Sequence, residues 1–438
     1  MEKITDKIAS LPEDVSFFSL EFFPPKTQMG SSNLQARLER MARALRPLFV
    51  NVTWGAGGST ASKSLELVEM CQRQLGLTTC LHLTCTNMSR ALIDETLQEA
   101  KALGVRNILA LRGDAPRSDE YRDEDAIDDS DDSNKDFKWA IDLVRYIRSQ
   151  HGDYFCIGVA AYPEGHSDES HPERQDTDFD IPFLVDKVKA GADFIMTQLF
   201  YDAHAFLKFE QTLLEHSSKL FVDIPIIPGL MPIQNYQILR RTTSLSHASL
   251  PQHITSRLEP LRNDDEAVKE IGIDILCDII SRIKREKSGG RRGFHFYTLN
   301  LEKAVAHIVE RCNLIGPSAP SSEDNVSSND CAIFDGISSR APVTGPNIAA
   351  NRRRMSSAAN STPHNRAVVD RPSMSSNRSL EVPEDEAGVP KEKINSRANT
   401  LAISEGEGSL GREATWDDYP NGRWGDARSP GKLINFGY

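Results

Sequence analysis

Eight short runs of the chain are almost continuously apolar: SFFSLEFF (16–23), LFVNVTW (48–54), TTCLHLTC (78–85), NILALRGD (107–114), FCIGVAAYP (155–163), FIMTQLFY (194–201), IPIIPGLMP (224–232) and FHFYTLN (294–300). β-Branched and aromatic residues dominate them. Continuous rather than alternating apolar character is the pattern of parallel strands covered on both faces. Between the runs the period lengthens to that of an amphipathic helix, as in 33–45, 62–76, 91–104, 138–152 and 181–193. The segments 62–76 and 91–104 end in Gly, as a helix C-cap would. This eightfold alternation of strand and helix predicts an α/β fold, a (β/α)8 TIM barrel, with a doubly wound open sheet as the alternative.

Composition sets the limits of that domain. Apolar and aromatic residues are concentrated before about residue 316, so 1–316 is expected to form the barrel. Residues 317–412 are rich in Ser, Asn, Pro, Arg and Glu, with Phe334 their only aromatic, and are expected to be a disordered Ser-rich tail. Within them, NRRRMSSAANSTP (351–363) has the form of a basophilic kinase site. Residues 413–438 regain aromatics at Trp416, Tyr419, Trp424 and Phe436, which suggests a segment that docks on something.

The net charge of −12 owes most of its excess to one stretch, 118–136, where ten acidic and two basic side chains leave a local −8. No basic face with interleaved aromatics argues for a nucleic-acid partner. The N-terminus has no apolar signal core, and no apolar run approaches the ~18 residues of a membrane span. The seven cysteines are scattered, with no C-x-x-C, which favours reduced thiols and a cytoplasmic protein.

In a barrel, chemistry collects at the C-terminal ends of the strands. Seven of the eight runs end in polar groups: Glu21, Thr53-Trp54, His82, Arg112-Gly113-Asp114, Tyr162 with His166 beyond, Gln198, and Tyr297. Any one of them has a structural explanation, and Glu21 alone reads as a salt-bridged or rim-exposed carboxylate. Convergence on one rim favours a site. The loop GAGGST (55–60) is not a G-x-G-x-x-G and lacks a P-loop Lys. It reads either as a phosphate cradle or as a tight βα turn with Ser59 or Thr60 capping the next helix. His82 and His166 do not have metal-motif spacing, so no metal is expected. An acid in an apolar strand, a second carboxylate beside an Arg, several hydrogen-bonding groups and two aromatics suit holding a flat heteroaromatic cofactor and protonating a substrate.

Taken in order, LEFFPPKT, FVNVTWGAGGST, LHLTC, LALRGD, YPEGH, GADFIMTQLFYD, PIIPGLMPIQ and GFHFYTLN closely resemble the catalytic domain of the methylenetetrahydrofolate reductases, over about residues 15–315. The segment WDDYPNGRWGDARSP (416–430) resembles the linker that, in eukaryotic members, precedes a regulatory domain binding S-adenosylmethionine. The pattern departs after Pro430, so that domain is expected to be missing and the chain to be insensitive to S-adenosylmethionine.

The resemblance implies FAD-dependent reduction of 5,10-methylenetetrahydrofolate to 5-methyltetrahydrofolate by NAD(P)H, NADPH being the usual eukaryotic donor. The scheme is ping-pong and feeds methionine synthesis. It implies that Glu21 is the general acid that opens the folate's five-membered ring. On this reading, burial among Phe17, Phe18, Phe22 and Phe23 is what would keep it protonated. Asp114 falls on the position beside the flavin that also contacts the pterin. Thr53, Trp54, His82, Arg112, Gly113, Trp139, Ala140, Tyr162, His166, Asp180 and Lys187 fall on FAD-holding positions, and Gln198 and Tyr297 on folate-contacting ones. Leu301 stands where some members have Arg, and Trp139 where Tyr is common. A homo-oligomer, dimer or tetramer, is expected. Two other readings are another FAD-binding barrel oxidoreductase and a non-catalytic paralogue that dimerises with a full-length reductase.

Overall fold

The computed structural model describes residues 2–25, 27–55, 58–113, 137–166, 175–286 and 291–315. The acidic run, Asp114, and the segments 317–412 and 413–438 lie outside the described residues. Eight parallel strands close into a barrel in chain order: β1 (Phe17–Phe22), β2 (Phe49–Val52), β3 (Thr79–Thr84), β4 (Asn107–Leu111), β5 (Cys156–Ala161), β6 (Phe194–Leu199), β7 (Ile226–Leu230) and β8 (Gly293–Tyr297). β8 pairs back onto β1, which excludes the open-sheet alternative.

The period-two alternation of side chains sorts each strand into two faces. Phe18, Leu20 and Phe22 of β1 point outward and join the core between sheet and helices, with Val50, Val52, Leu81, Leu83, Ile108, Ile157 and Phe294. Phe17, Phe49, Cys80, Leu109, Cys156, Phe194, Met196 and Ile227 form a second, interior core. A Cβ at Gly158 would lie 2.3 Å from the Phe194 ring, and one at Gly293 2.1 Å from the Phe17 ring, so these glycines make room for two interior phenylalanines.

The first helix, α1 (Ile4–Ser10), has no counterpart in the predicted elements. It plugs the N-terminal mouth: Ile4 and Ile8 join the interior core. The Ile4 amide donates to Asn107 Oδ1 (2.8 Å), and Lys7 Nζ donates to Leu48 O (2.6 Å) and Thr78 Oγ1 (3.0 Å).

The outer helices are α2 (Gln28–Leu45), α3 (Ala61–Glu69), α4 (Arg90–Ala102), α5 (Ala140–His151), α6 (Thr177–Lys189), α7 (Ala203–Glu215), α8 (Tyr236–Ser246), α9 (Gln252–Leu258), α10 (Asp265–Arg285) and α11 (Lys303–Arg311). α2 starts earlier than its apolar pattern, because the Thr27 side chain accepts from the Gly30 amide and caps a polar first turn. α3 runs into a π-helical turn, Met70–Gln74, which buries Gln72 so that it accepts from the Thr79 amide and donates to Gly104 O. Gly76 and Gly104 close their helices at φ 65° and 82°. Among the described residues no helix is long and apolar enough to cross a membrane.

Arg292, at the entry to β8, forms a buried bidentate pair with Glu210 of α7 (Nη2 to Oε2, 2.8 Å). Removing one partner strands a buried charge, whereas replacing both with apolar residues does not. Arg292→Ala should therefore lower the unfolding free energy by about 3–5 kcal/mol in a urea titration, and Arg292→Met/Glu210→Leu by much less. A single substitution as mild as the double would refute the stranded-charge account.

Candidate active site

At the C-terminal mouth, closure of β8 against β1 sets Ser19 opposite His295 and Glu21 opposite Tyr297, while β2 brings Asn51 beside Glu21. Ser19, Glu21, His295 and Tyr297 share the inward face by alternation. Oε2 of Glu21 lies 3.5 Å from His295 Nε2 and 3.6 Å from His82 Nε2. The phenylalanines expected around Glu21 are not its surroundings. Phe18, Phe22 and Phe23 belong to the outer core, and Phe17 sits low in the interior core at the other end of the strand. What faces the carboxyl group is two imidazoles and a phenol.

Two of the neighbours of Glu21 are held uncharged by burial. Burial pushes the His82 imidazole from its ordinary 6.5 down to about 4, against the opposing pull of Glu21, so it is neutral at neutral pH. Burial also pushes the Tyr297 phenol well up, with Glu21 adding to the effect. The Tyr297 hydroxyl donates to Thr197 O (2.7 Å), and its ring lies across Gly229, where a Cβ would stand 2.6 Å from a ring carbon. The backbone here is pinned. Thr298 Oγ1 donates to Glu21 O (2.6 Å), and Asn300 brackets Phe23 with one bond to its amide and one from its own amide to the Phe23 carbonyl. Leu299 at φ 53° and Asn300 at φ 60° adopt left-handed conformations in this bracket, a strain concentrated at the mouth. Leu301 is buried in the core.

His295 is absent from the residues singled out in the sequence. Its signal was present: His295 and Tyr297 are two apart in one strand, so the face that carries one carries the other. Only the β8–β1 register shows that this face meets Glu21.

Two further groups form on the neighbouring strands. After β4, the Arg112 guanidinium lies over the Trp139 ring at 5.3 Å, and Trp139, 38% exposed, precedes Ala140 at the start of α5. Gly113, at φ 85°, approaches Thr84 so closely that a Cβ would stand 2.7 Å from Thr84 Cβ. The Thr84 hydroxyl is buried with no partner among the described residues. After β5, Tyr162 and His166 meet edge to face at 4.5 Å, and the His166 amide donates to Asp180 Oδ2 (2.5 Å). Asp180 and Lys187 are both on α6, and Lys187 Nζ donates to Ala160 O (3.3 Å). Burial pushes Lys187 down to about 8 and raises Asp180, each partly offset by the other's charge.

Other named residues stand apart from these groups. The Trp54 indole is buried in the outer core, its Nε1 without a partner among the described residues. Thr53 offers backbone, its amide donating to Phe22 O and its carbonyl accepting from Ser64 Oγ. Gln198 sits in a bulge of β6 and accepts from the Leu199 amide (2.9 Å). In the 55–60 loop, Thr60 Oγ1 accepts from the Gly55 amide (2.8 Å) and makes no helix cap.

Neutral His82 supplies stability that is lost on acidification. Its folded value lies below the ordinary one, so the unfolded chain takes up the proton first as pH falls below about 6.5. Lowering the pH from 7 to 5 should cost the native protein roughly 2 kcal/mol more than it costs His82→Gln, compared by urea unfolding at both pH values. Equal pH slopes in the two proteins would show that His82 is not the group resisting protonation.

The family model described as methylenetetrahydrofolate reductase matches residues 3–313. A Schizosaccharomyces pombe protein named methylenetetrahydrofolate reductase 2 is 43% identical over 99% of this chain and 65% of its own length. A rice protein named probable methylenetetrahydrofolate reductase (NADH) is 36% identical over 98% of this chain and 60% of its own. A Caenorhabditis elegans protein named probable methylenetetrahydrofolate reductase (NADPH) is 36% identical over 69% of this chain and 43% of its own. The chain thus spans less than two thirds of the length of each of these relatives. With the family model covering nearly all of the described barrel, the chain belongs to the methylenetetrahydrofolate reductase family.

Proposed function

We propose that the barrel reduces 5,10-methylenetetrahydrofolate to 5-methyltetrahydrofolate with FAD as its redox cofactor and a nicotinamide as donor, in a ping-pong scheme. The observation that carries this reading is the carboxyl group of Glu21, held inside the C-terminal mouth against two imidazoles in a member of this family.

The residues beside the Glu21 cluster fit a flavin dinucleotide. Such a group needs a flat or backbone-only wall, hydrogen-bonding groups and cations for its diphosphate. The Cβ-free approach of Gly113 to Thr84, the unpartnered Thr84 hydroxyl, Arg112 over the exposed Trp139 ring, and Lys187 supply these. Lys187, pushed down by burial, would regain an ordinary ammonium beside a phosphate. Thr53, Trp54, His82, Ala140, Tyr162, His166 and Asp180 complete the set by the family resemblance, and Asp114 enters on that basis alone. When bound, FAD would take a hydride from the nicotinamide and give it to the methylene carbon of the folate.

The chain's own residues then handle the proton. Glu21 gives it to the nitrogen that leaves as the five-membered ring opens, and the exocyclic carbon–nitrogen bond becomes an iminium ready for hydride. The carboxylate is reprotonated from water, so each turnover consumes one NAD(P)H and one proton. Tyr297, its hydroxyl committed to Thr197, presents a fixed ring wall, and Gln198 lies on the adjacent strand for the folate side.

An anaerobic titration of the purified chain tests this. The donor, NADPH against NADH, should bleach the flavin absorbance, and methylenetetrahydrofolate should restore it. Glu21→Gln should bleach within about twofold of the wild-type rate yet lose recovery by about 10²–10⁴-fold. Bleaching without recovery in the wild type would remove the folate assignment, and a colourless protein would leave the non-catalytic paralogue.

A further inference from the structure

The cysteines of the barrel fall into two groups. Cys71, Cys80, Cys85 and Cys156 are buried in the cores. Burial pushes their thiols up, Cys71 to about 12 and Cys85 and Cys156 to about 11. Such thiols are inert, because the thiolate is the nucleophile. Cys277 and Cys312 differ. Cys277 is half-buried on α10, and Cys312 is the C-cap of α11 with 9% of its surface exposed. The two side chains meet, and the Cys277 S–H donates to the Cys312 sulfur. Both helices hold this contact in place. Asp274, Cys277 and Lys284 recur at helical spacing along one face of α10. Asp274 Oδ1 accepts from Arg311 Nη1 (2.8 Å), and Lys284 Nζ donates to Cys312 O (3.1 Å). The chain at 311–312 is therefore tied to α10 on both sides of Cys277. α11 itself ends in a Schellman turn, with Asn313 at φ 49°, its amide donating to Glu310 O (3.1 Å) and the Leu314 amide to Val309 O (2.9 Å). That turn fixes the backbone that carries Cys312.

The pair is also polarised. The hydrogen bond from Cys277 lowers the Cys312 thiol, and Lys284 and Arg311 add to it against burial and the charge of Asp278. Donating that bond raises Cys277, with burial and Asp274 adding and Arg311 opposing. One sulfur is thus readied as a thiolate while its neighbour keeps its proton, the division between an attacking and a resolving cysteine. We propose that Cys277 and Cys312 are a modification site for hydrogen peroxide, closing to a disulfide that ties α10 to the end of α11. The Cys312 thiolate attacks one peroxide oxygen, the O–O bond breaks, and the departing oxygen takes up a proton and leaves as water. Cys312 is then a sulfenic acid. The Cys277 sulfur displaces the sulfenic oxygen, which leaves as a second water with the thiol proton. Two thiols have been oxidised by two electrons, and one peroxide has been reduced to two waters. Residues 277–312 then form a covalent ring that encloses β8 and the mouth turn. The bridge fastens the segment in which Thr298 and Asn300 hold the backbone of Glu21 and Phe23.

The test is a thiol map of the full-length chain before and after hydrogen peroxide. No Lys or Arg separates Cys312 from Cys331 in the sequence, so the map is made in Cys331→Ser, where a tryptic peptide carries one cysteine at most. After peroxide and alkylation, a non-reducing digest should show residues 270–282 joined to residues 312–340, and dithiothreitol should part them. Cys277→Ser should stop at a sulfenic acid on Cys312, captured by dimedone. Cys312→Ser should slow the oxidation of Cys277 at pH 7 at least about tenfold, the thiolate fraction that one pKa unit removes.

A second measurement needs no variant of the pair. Phenylarsine oxide bridges two adjacent thiols, so it should protect Cys277 and Cys312 of the untreated chain from alkylation and block the disulfide. None of these readouts depends on turnover or on the acid role of Glu21. Peroxide that links either cysteine to a third residue or to a second chain would overturn the proposal. So would a sulfinic acid on Cys312 with no disulfide formed, or an arsenical that leaves both thiols open to alkylation.

Discussion

Strand β8 lies beside β1 because a twisted sheet of eight parallel strands returns to its own first edge, and that return sets residues 276 positions apart side by side. Everything at the mouth follows from the register of this one pair. It places Ser19 at His295 and Glu21 at Tyr297. It also fixes the depth of the carboxyl group, because Thr298 and Asn300 leave the last turn of β8 to bind the backbone of Glu21 and Phe23. A slip of one residue would turn the inward face outward and carry Glu21 into the apolar layer beneath the helices.

That layer explains how a carboxyl group can occupy an apolar strand at all. The outward phenylalanines satisfy the helices, and the inward positions are released from the need to be apolar once the N-terminal mouth is sealed by α1. The interior core occupies only the lower part of the barrel. Above it the lining is Ser19, Asn51, His82, His295 and Tyr297, among which burial holds His82 and Tyr297 as uncharged dipoles. Neutral dipoles suit a group that must change its own charge during a reaction. A fixed cation beside it would hold the carboxylate ionised and withhold its proton.

The barrel was legible in the sequence because strands covered on both faces leave long apolar runs, and eight such runs separated by helical periods admit few other folds. The C-terminal rim was legible for the same reason, as polar residues interrupt the runs at their ends. What the sequence did not reveal depends on pairings between distant segments. α1 is a seven-residue helix whose two apolar anchors make sense only against the barrel floor. His295 looks like any core histidine until β8 meets β1. The phenylalanines near Glu21 misled because neighbours in sequence stand on opposite faces of a strand, so the residues nearest in the chain are the ones Glu21 cannot touch. Trp54 is the mirror case, a residue at the right strand end whose indole turns into the outer core.

The mouth divides by charge as well as by strand. Among the described residues no Lys or Arg lies within 4 Å of the Glu21 carboxyl group, whereas the β4–β5 side carries Arg112 over the exposed Trp139 ring and Lys187 at the end of β5. In the proposed reaction that division separates two incompatible demands. A dinucleotide cofactor needs permanent positive charge near its phosphates, and a general acid needs its absence. Lys187 lies on α6, linked by its hydrogen bond to the end of β5, and Arg112 is drawn onto the Trp139 ring, so both cations are held to strands that do not carry Glu21. Strand order thus does for electrostatics what alternation does for burial: it lets one rim hold groups that would disable each other if they were adjacent.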